Sequence, residues 1–185
     1  MKQGVFIERD GILTRAQSKS QHQGGSNALA DFLLQNEVAP LLNELKAAGL
    51  ILIVTTNQPA LSRGELSRRE LEHMHQLLRA VFPLDDIFVC PHEEMDVCTC
   101  RKPKPGLLIE GAFKWRLDLS RSFVISDKWQ DAEAARRAGA TSVLLDSPRL
   151  GKGHHDFVLP DLSTIVEKIL QLALTPAAPP FQTYR

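Results

Sequence analysis

The sequence predicts an open, doubly wound α/β fold, a Rossmann-like parallel sheet with helices on both faces. Three observations carry that expectation. Short Val- and Ile-rich runs alternate with helical patterns along the chain; most runs are apolar throughout, as in strands covered by helices on both faces; and polar residues gather just beyond the runs' carboxyl ends, where such sheets bind ligands. The runs are G-V-F-I (4–7), L-I-L-I-V-T (50–55), D-I-F-V-C (86–90), S-F-V-I-S (122–126) and T-S-V-L-L (141–145).

The helices between them follow from local chemistry. Residues 38–48 carry Pro40 in the first turn and end before Gly49, the usual placement of both residue types. Over 67–82, Ser67 and Glu70 have the spacing of a capping box, and Leu71, Met74, Leu78 and Val81 form one apolar stripe. Residues 106–117 follow Pro105, 129–138 are alanine-rich and stop at Gly139, and 161–173 begin with Asp161 as cap. The resulting order is βαβαβαβαβα. Residues 15–30 are polar and glycine-containing and are expected to form a mobile loop; the chain divides into a single domain over 1–174 and a loosely held tail over 175–185.

A chain of 185 residues can bury a core without disulfides, and its 22 Lys plus Arg balance 22 Asp plus Glu. A neutral protein generates no field favouring nucleic acid or anionic lipid. The opening segment M-K-Q-G-V-F-I-E-R-D reaches a charge too soon for a signal peptide or a spanning helix, so a soluble, cytoplasmic protein is expected.

All three cysteines fall between 90 and 100. A disulfide framework would spread an even number along the chain. Cys90, His92, Cys98 and Cys100 instead offer three thiolates and an imidazole, a closed tetrahedral set of the kind that binds structural zinc. The competing reading, a Cys98–Cys100 redox pair, leaves Cys90 and His92 unexplained, and Glu93, Glu94 and Asp96 make the loop too acidic for a nucleic-acid-binding finger. His73 and His75, two apart on a helix, cannot easily share a metal and are expected at the surface; His154 and His155 read as solvated turn residues.

Beyond the first run stand Glu8, Arg9, Asp10 and Gly11; beyond the second, Thr55, Thr56, Asn57 and Gln58; beyond the third, the cysteine loop continuing into Arg101, Lys102, Pro103 and Lys104; beyond the fourth, Asp127, Lys128 and Asp131. Carboxylates with few other donors suit Mg²⁺, and Thr56, Lys102 and Arg101 suit phosphate oxygens, a combination fitted to phosphoryl transfer. Each acidic or hydroxyl residue alone could merely cap a helix. Their convergence at four strand ends favours function.

These clusters resemble the four motifs of the haloacid dehalogenase superfamily. C-P-H followed by C-T-C-R-K-P-K-P-G (90–92, 98–106) narrows the likeness to its histidinol-phosphate and heptose-bisphosphate phosphatase group, and T-N-Q-P-A-L-S-R-G (56–64) is similar to the heptose branch. The likeness runs from Val5 to Asp146. It implies no large cap domain and an Mg²⁺-dependent phosphatase, often monomeric, acting on a small sugar phosphate. It also implies Asp10 as general acid and base, Thr56 and Lys102 as phosphoryl-binding and charge-stabilising groups, and Asn57, Arg63, Arg101 and Lys102 toward substrate. Glu8, Asp10 and Asp127 would hold Mg²⁺ with Asp131 in support. One departure stands out. The first motif of the family is Asp-x-Asp-Gly, and its attacking position is here Glu8. The extra methylene leaves two readings open: a sugar-phosphate phosphatase, or a relative that binds phosphate ligands or a partner without efficient turnover.

Overall fold

The computed structural model describes residues 1–15 and 32–174. Most of the polar segment expected as a loop over 15–30, and the tail over 175–185, lie outside the described residues. The described chain forms β1 (Gly4–Glu8), α1 (Ala39–Ala47), β2 (Ile51–Asn57), α2 (Arg68–Val81), β3 (Asp86–Cys90), α3 (Gly106–Trp115), β4 (Phe123–Ser126), α4 (Trp129–Ala138), β5 (Thr141–Leu145), β6 (Phe157–Leu159) and α5 (Leu162–Leu174). The strands form one parallel sheet in the order β3-β2-β1-β4-β5-β6. The doubly wound parallel architecture is therefore present, with its switch point between β1 and β4.

Alternation along β1 explains the layering. Val5 and Ile7 point into a core with Leu42 and Leu45 of α1, Leu78 of α2 and Ile165 and Ile169 of α5. Phe6 points the other way, against Leu108 and Ala112 of α3 and Ala134 and Ala135 of α4. Helices cover both faces, and β1 is buried along its whole length. No described insertion forms a cap domain.

The helix signals at 67–70 act as expected: the Ser67 hydroxyl accepts from the Glu70 amide, and the Glu70 carboxylate accepts from the Ser67 amide at 2.8 Å. The sequence reading missed β6. Its three residues form an edge strand after a Gly- and His-containing segment, too short to show a period. His75 also corrects the reading: it is buried, only 7% exposed. It lies four residues after Leu71 and three before Leu78, on the buried stripe of α2.

Candidate active site

Strand register assembles the site. Glu8 pairs with Thr55 across β1 and β2, while Asn57 pairs with Cys90 across β2 and β3. Ile7 pairs with Ile125, so Asp127 emerges from β4 beside Glu8. Residues distant in sequence therefore meet at one sheet edge, around a cleft of about 110 Å³ lined by Glu8, Asn57, Arg101, Lys102, Lys128, Gln130 and Asp131. Glu8 is the last residue of β1 and Asn57 the last of β2, so the strands themselves aim these side chains.

Lys102 is the hub. Its ammonium is buried and donates to Glu8 Oε2, to Asp131 Oδ1 at 2.5 Å and to the Thr55 carbonyl at 2.9 Å. Three protons meet three acceptors. The other oxygen of Glu8, Oε1, accepts from the Asp10 amide at 3.1 Å and from Thr56 Oγ1 at 3.4 Å, with Lys128 Nζ also at 3.4 Å. Burial alone would raise the Glu8 pKa, but Lys102 and Lys128 overcome it and carry the group down to about 2. Asp131 moves the other way. Burial and the charge of Glu8 push it up to about 6 despite the Lys102 ion pair. Lys102, between two carboxylates, is held firmly protonated, their charges outweighing its burial.

Asp10 is the accessible carboxylate, its side chain 36% exposed against 3% for Glu8. Its neighbours fix it in place. Arg9 donates Nε to Oδ1 at 2.8 Å and a terminal nitrogen to Oδ2 at 3.1 Å, and Gln58 Nε2 donates to Oδ2 at 2.9 Å and to Thr56 Oγ1 at 2.9 Å. The Arg9 guanidinium also stacks over Phe32, 5.2 Å from the ring centre. The sequence placed Arg9, Gln58 and Lys128 at the rim but gave them no role. Their polar character at strand ends was the available signal.

Asp127 lies against Gly11, whose φ is +108°. A Cβ at Gly11 would come within 2.6 Å of the Asp127 carboxylate, so this turn requires glycine for both conformation and space. Asp127 Oδ1 and Asp131 Oδ2 are buried without a hydrogen-bond partner among the described residues. Buried carboxylate oxygens without donors suit a hard cation. Of the carboxylates expected around Mg²⁺, Asp127 keeps one such oxygen, while the oxygens of Glu8 and Asp10 take donors from the protein and Asp131 pairs with Lys102.

The remaining expected residues fall as follows. Asn57 Nδ2 donates to the Lys102 carbonyl at 3.2 Å, and its Oδ1 accepts from the Lys102 amide at 3.2 Å, so it grips the backbone that carries the hub. Arg101 lines the cleft while donating to the His92 carbonyl at 2.9 Å. Arg63 is outside the cleft lining and pairs with Glu65 and Glu93, bridging the 59–64 segment to the cysteine loop.

The ligand atoms of Cys90, His92, Cys98 and Cys100 lie within 4.8 Å of one another. His92 Nδ1 stands 3.5 Å from Cys90 Sγ and 3.2 Å from Cys100 Sγ. Burial and crowded sulfurs push the Cys100 thiol up to about 12, and Cys90 is raised too. Ionising such thiols calls for a compensating cation, which Zn²⁺ provides in a four-ligand cage. The cage leads directly into Lys102. At Gly106 an added Cβ would fall 2.3 Å from the Thr99 carbonyl oxygen, so the close seating of the loop on the start of α3 depends on glycine there.

A HAD-hydrolase-like family model matches residues 99–165. The chain is 31% identical over 160 residues to the D-glycero-beta-D-manno-heptose-1,7-bisphosphate 7-phosphatase of Helicobacter pylori strain J99, spanning 83% of this chain and 88% of the relative. It is 31% identical over 161 residues to the Escherichia coli K12 protein of the same name, spanning 80% of each. Among solved structures it resembles D,D-heptose 1,7-bisphosphate phosphatase from B. bronchiseptica, complexed with magnesium and phosphate, at a TM-score of 0.78 and 26% identity, over 92% of this chain and 99% of that one. No helix among the described residues is long and apolar enough to cross a membrane.

Proposed function

Since the chain belongs to the heptose-bisphosphate phosphatase family of HAD-like phosphoric monoester hydrolases, we propose that it removes a phosphate from a small sugar phosphate, most closely D-glycero-D-manno-heptose 1,7-bisphosphate at its 7-position. The observation that carries the reading is the convergence of Glu8, the accessible Asp10, Thr56 and Lys102 on one strand edge. Glu8, Asp10 and Asp127 would hold Mg²⁺, which supplies neutralisation of phosphate charge when bound. Cys90, His92, Cys98 and Cys100 would hold a structural Zn²⁺.

The chain's own groups then divide the work. A Glu8 oxygen attacks phosphorus as the bond to the sugar oxygen breaks, and Asp10 delivers a proton to that leaving oxygen. Asp10 next takes a proton from water, whose oxygen attacks phosphorus, releases inorganic phosphate and restores the Glu8 carboxylate. Thr56 Oγ1, 3.4 Å from Glu8 and 3.5 Å from Asp10, is placed to donate to a phosphoryl oxygen. Lys102 balances the developing charge. Arg101, at the cleft, would contact the rest of the sugar, Arg63 would act on it through the cysteine loop that it holds at Glu93, and a single-domain monomer suffices for this chemistry.

A second reading is favoured by one observation: both Glu8 oxygens are engaged by donors and the ion pair with Lys102 is buried. In that reading the cleft binds phosphate ligands without efficient turnover. The test is phosphate release from heptose 1,7-bisphosphate and a panel of sugar monophosphates with Mg²⁺ present. Release that Asp10→Asn abolishes supports the phosphatase; binding without release across the panel supports the second reading.

A further inference from the structure

Arg149, in the turn after β5, makes a contact that neither the sequence patterns nor the catalytic scheme uses. Its guanidinium is ion-paired to Asp127 Oδ2, at the carboxylate placed above among the Mg²⁺ ligands. Two further features make this a built contact. The turn is anchored: the Arg149 carbonyl accepts from the Trp129 amide at 3.2 Å, the Arg149 amide donates to Ser147 Oγ at 3.1 Å, and Leu150 is buried against Ala132 and Leu144. Glycine at position 11 leaves the room, since a Cβ there would stand 2.8 Å from the guanidinium nitrogen.

The two partners differ sharply in accessibility. The Asp127 side chain is 2% exposed and that of Arg149 is 42% exposed. A buried carboxylate cannot leave, and its other oxygen, Oδ1, has no hydrogen-bond partner among the described residues. A half-exposed arginine on an anchored turn can swing its head into solvent while the backbone stays in place. A monovalent side-chain cation therefore occupies one oxygen of a carboxylate whose other oxygen is buried without a donor among the described residues.

Resting on the metal-site reading given above, we propose that Arg149 is the resting counter-cation of the Mg²⁺ site: it neutralises Asp127 while the metal is away and is displaced when the metal enters. Mg²⁺ loading is then an exchange of cations at Asp127, and Arg149 sets the metal affinity without contacting substrate. Two positive charges cannot share one buried carboxylate without repulsion, so the side chain that stabilises the metal-free state weakens metal binding.

The experiment is calorimetric titration of the full-length protein with MgCl₂, together with thermal unfolding with and without Mg²⁺. The proteins are wild type, Arg149→Ala, Arg149→Gln, Arg149→Lys and Asp127→Asn. Arg149→Ala and Arg149→Gln should bind Mg²⁺ about tenfold more tightly than wild type, and Arg149→Lys, which keeps the charge, should stay close to wild type. Without Mg²⁺ the two neutral variants should melt lower, because Asp127 is left buried and unpaired, and Mg²⁺ should raise their melting temperatures by more than it raises that of wild type. Equal or weaker Mg²⁺ binding by Arg149→Ala and Arg149→Gln, with wild type binding normally and Asp127→Asn impaired, overturns this proposal alone. Binding by none of the proteins overturns the metal-site reading and this proposal together.

Discussion

Glu8 concentrates the chemistry of the site in one side chain. It reaches Lys102 with one oxygen and three donors with the other, and these charges keep it ionised down to about pH 2. A carboxylate so well solvated by the protein is a reluctant nucleophile, and its extra methylene moves the attacking oxygen by about 1 Å relative to aspartate, a displacement that can cost roughly a hundredfold in rate. Glu8→Asp should therefore raise kcat for phosphate release by up to about a hundredfold, with Mg²⁺ affinity changed much less; steady-state assays beside Mg²⁺ titration read both, and an unchanged or lower kcat would show that the site is built around glutamate. Lys102→Met should be costly to the fold, because Glu8 and Asp131 would remain buried without their cation. Breaking such a pair costs about 3–5 kcal/mol, measurable by urea unfolding. Glu8, Asp10, Thr56 and Lys102 were legible in the sequence because strands deliver polar residues to one edge. The Arg149–Asp127 pair was not, since it joins a turn to a strand end and no period links the two positions. Nor was the grip of Asn57 on the Lys102 backbone, which is a fact of chain approach and not of residue type.

The cysteine loop and α2 show what elements contribute. The loop runs from the end of β3 to Lys102 and is tied at Arg101 to the His92 carbonyl, at Arg63 to Glu93 and at Asn57 to Lys102. Only part of this depends on the four metal-binding side chains, and the sheet core is elsewhere. Zinc removal by a chelator at constant free Mg²⁺ should consequently weaken binding of a phosphate ester while leaving most of the sheet folded. Ligand titration and far-ultraviolet circular dichroism on the same sample separate the two effects, and an apo protein with unchanged affinity would refute the loop's positioning role. In α2, Ser67→Ala removes half of a reciprocal cap and should cost about 1 kcal/mol in urea unfolding, without altering phosphate release. Cap, proline and glycine signals made the helices readable to within a few residues, and Val- and Ile-rich runs did the same for five strands. The three-residue β6 escaped because its place is set by pairing with β5 and not by its own composition.

At the scale of the whole molecule, His75 links a buried histidine of α2 to the pH range over which the fold is stable. Burial lowers its pKa to about 4, helped by the positive charges of Arg9 and Arg79 and opposed by Glu72. The ring is neutral in the folded state across a range where the unfolded chain, near 6.5, takes up a proton. Because the unfolded state binds more protons, stability rises with pH over this window; the contribution is intact above pH 6.5 and is lost as the pH falls toward 4. A shift of this size corresponds to about 3 kcal/mol lost across the window. Asp131 opposes it, since its pKa rises from 3.8 to about 6 and its burial costs more as the pH increases. The wild-type curve alone would therefore mix the two. The informative quantity is the difference between wild type and His75→Leu, which keeps Asp131 and the cleft and fills the same stripe beside Leu71 and Leu78. Urea unfolding at intervals from pH 4 to 7 should show a difference that favours the leucine variant progressively as the pH falls, with Glu8, Asp131 and the metal-binding thiols cancelling. A difference that stays flat across the window would mean that His75 is no more shielded when folded than when unfolded, and that α2 is seated more loosely on the sheet than its buried stripe implies.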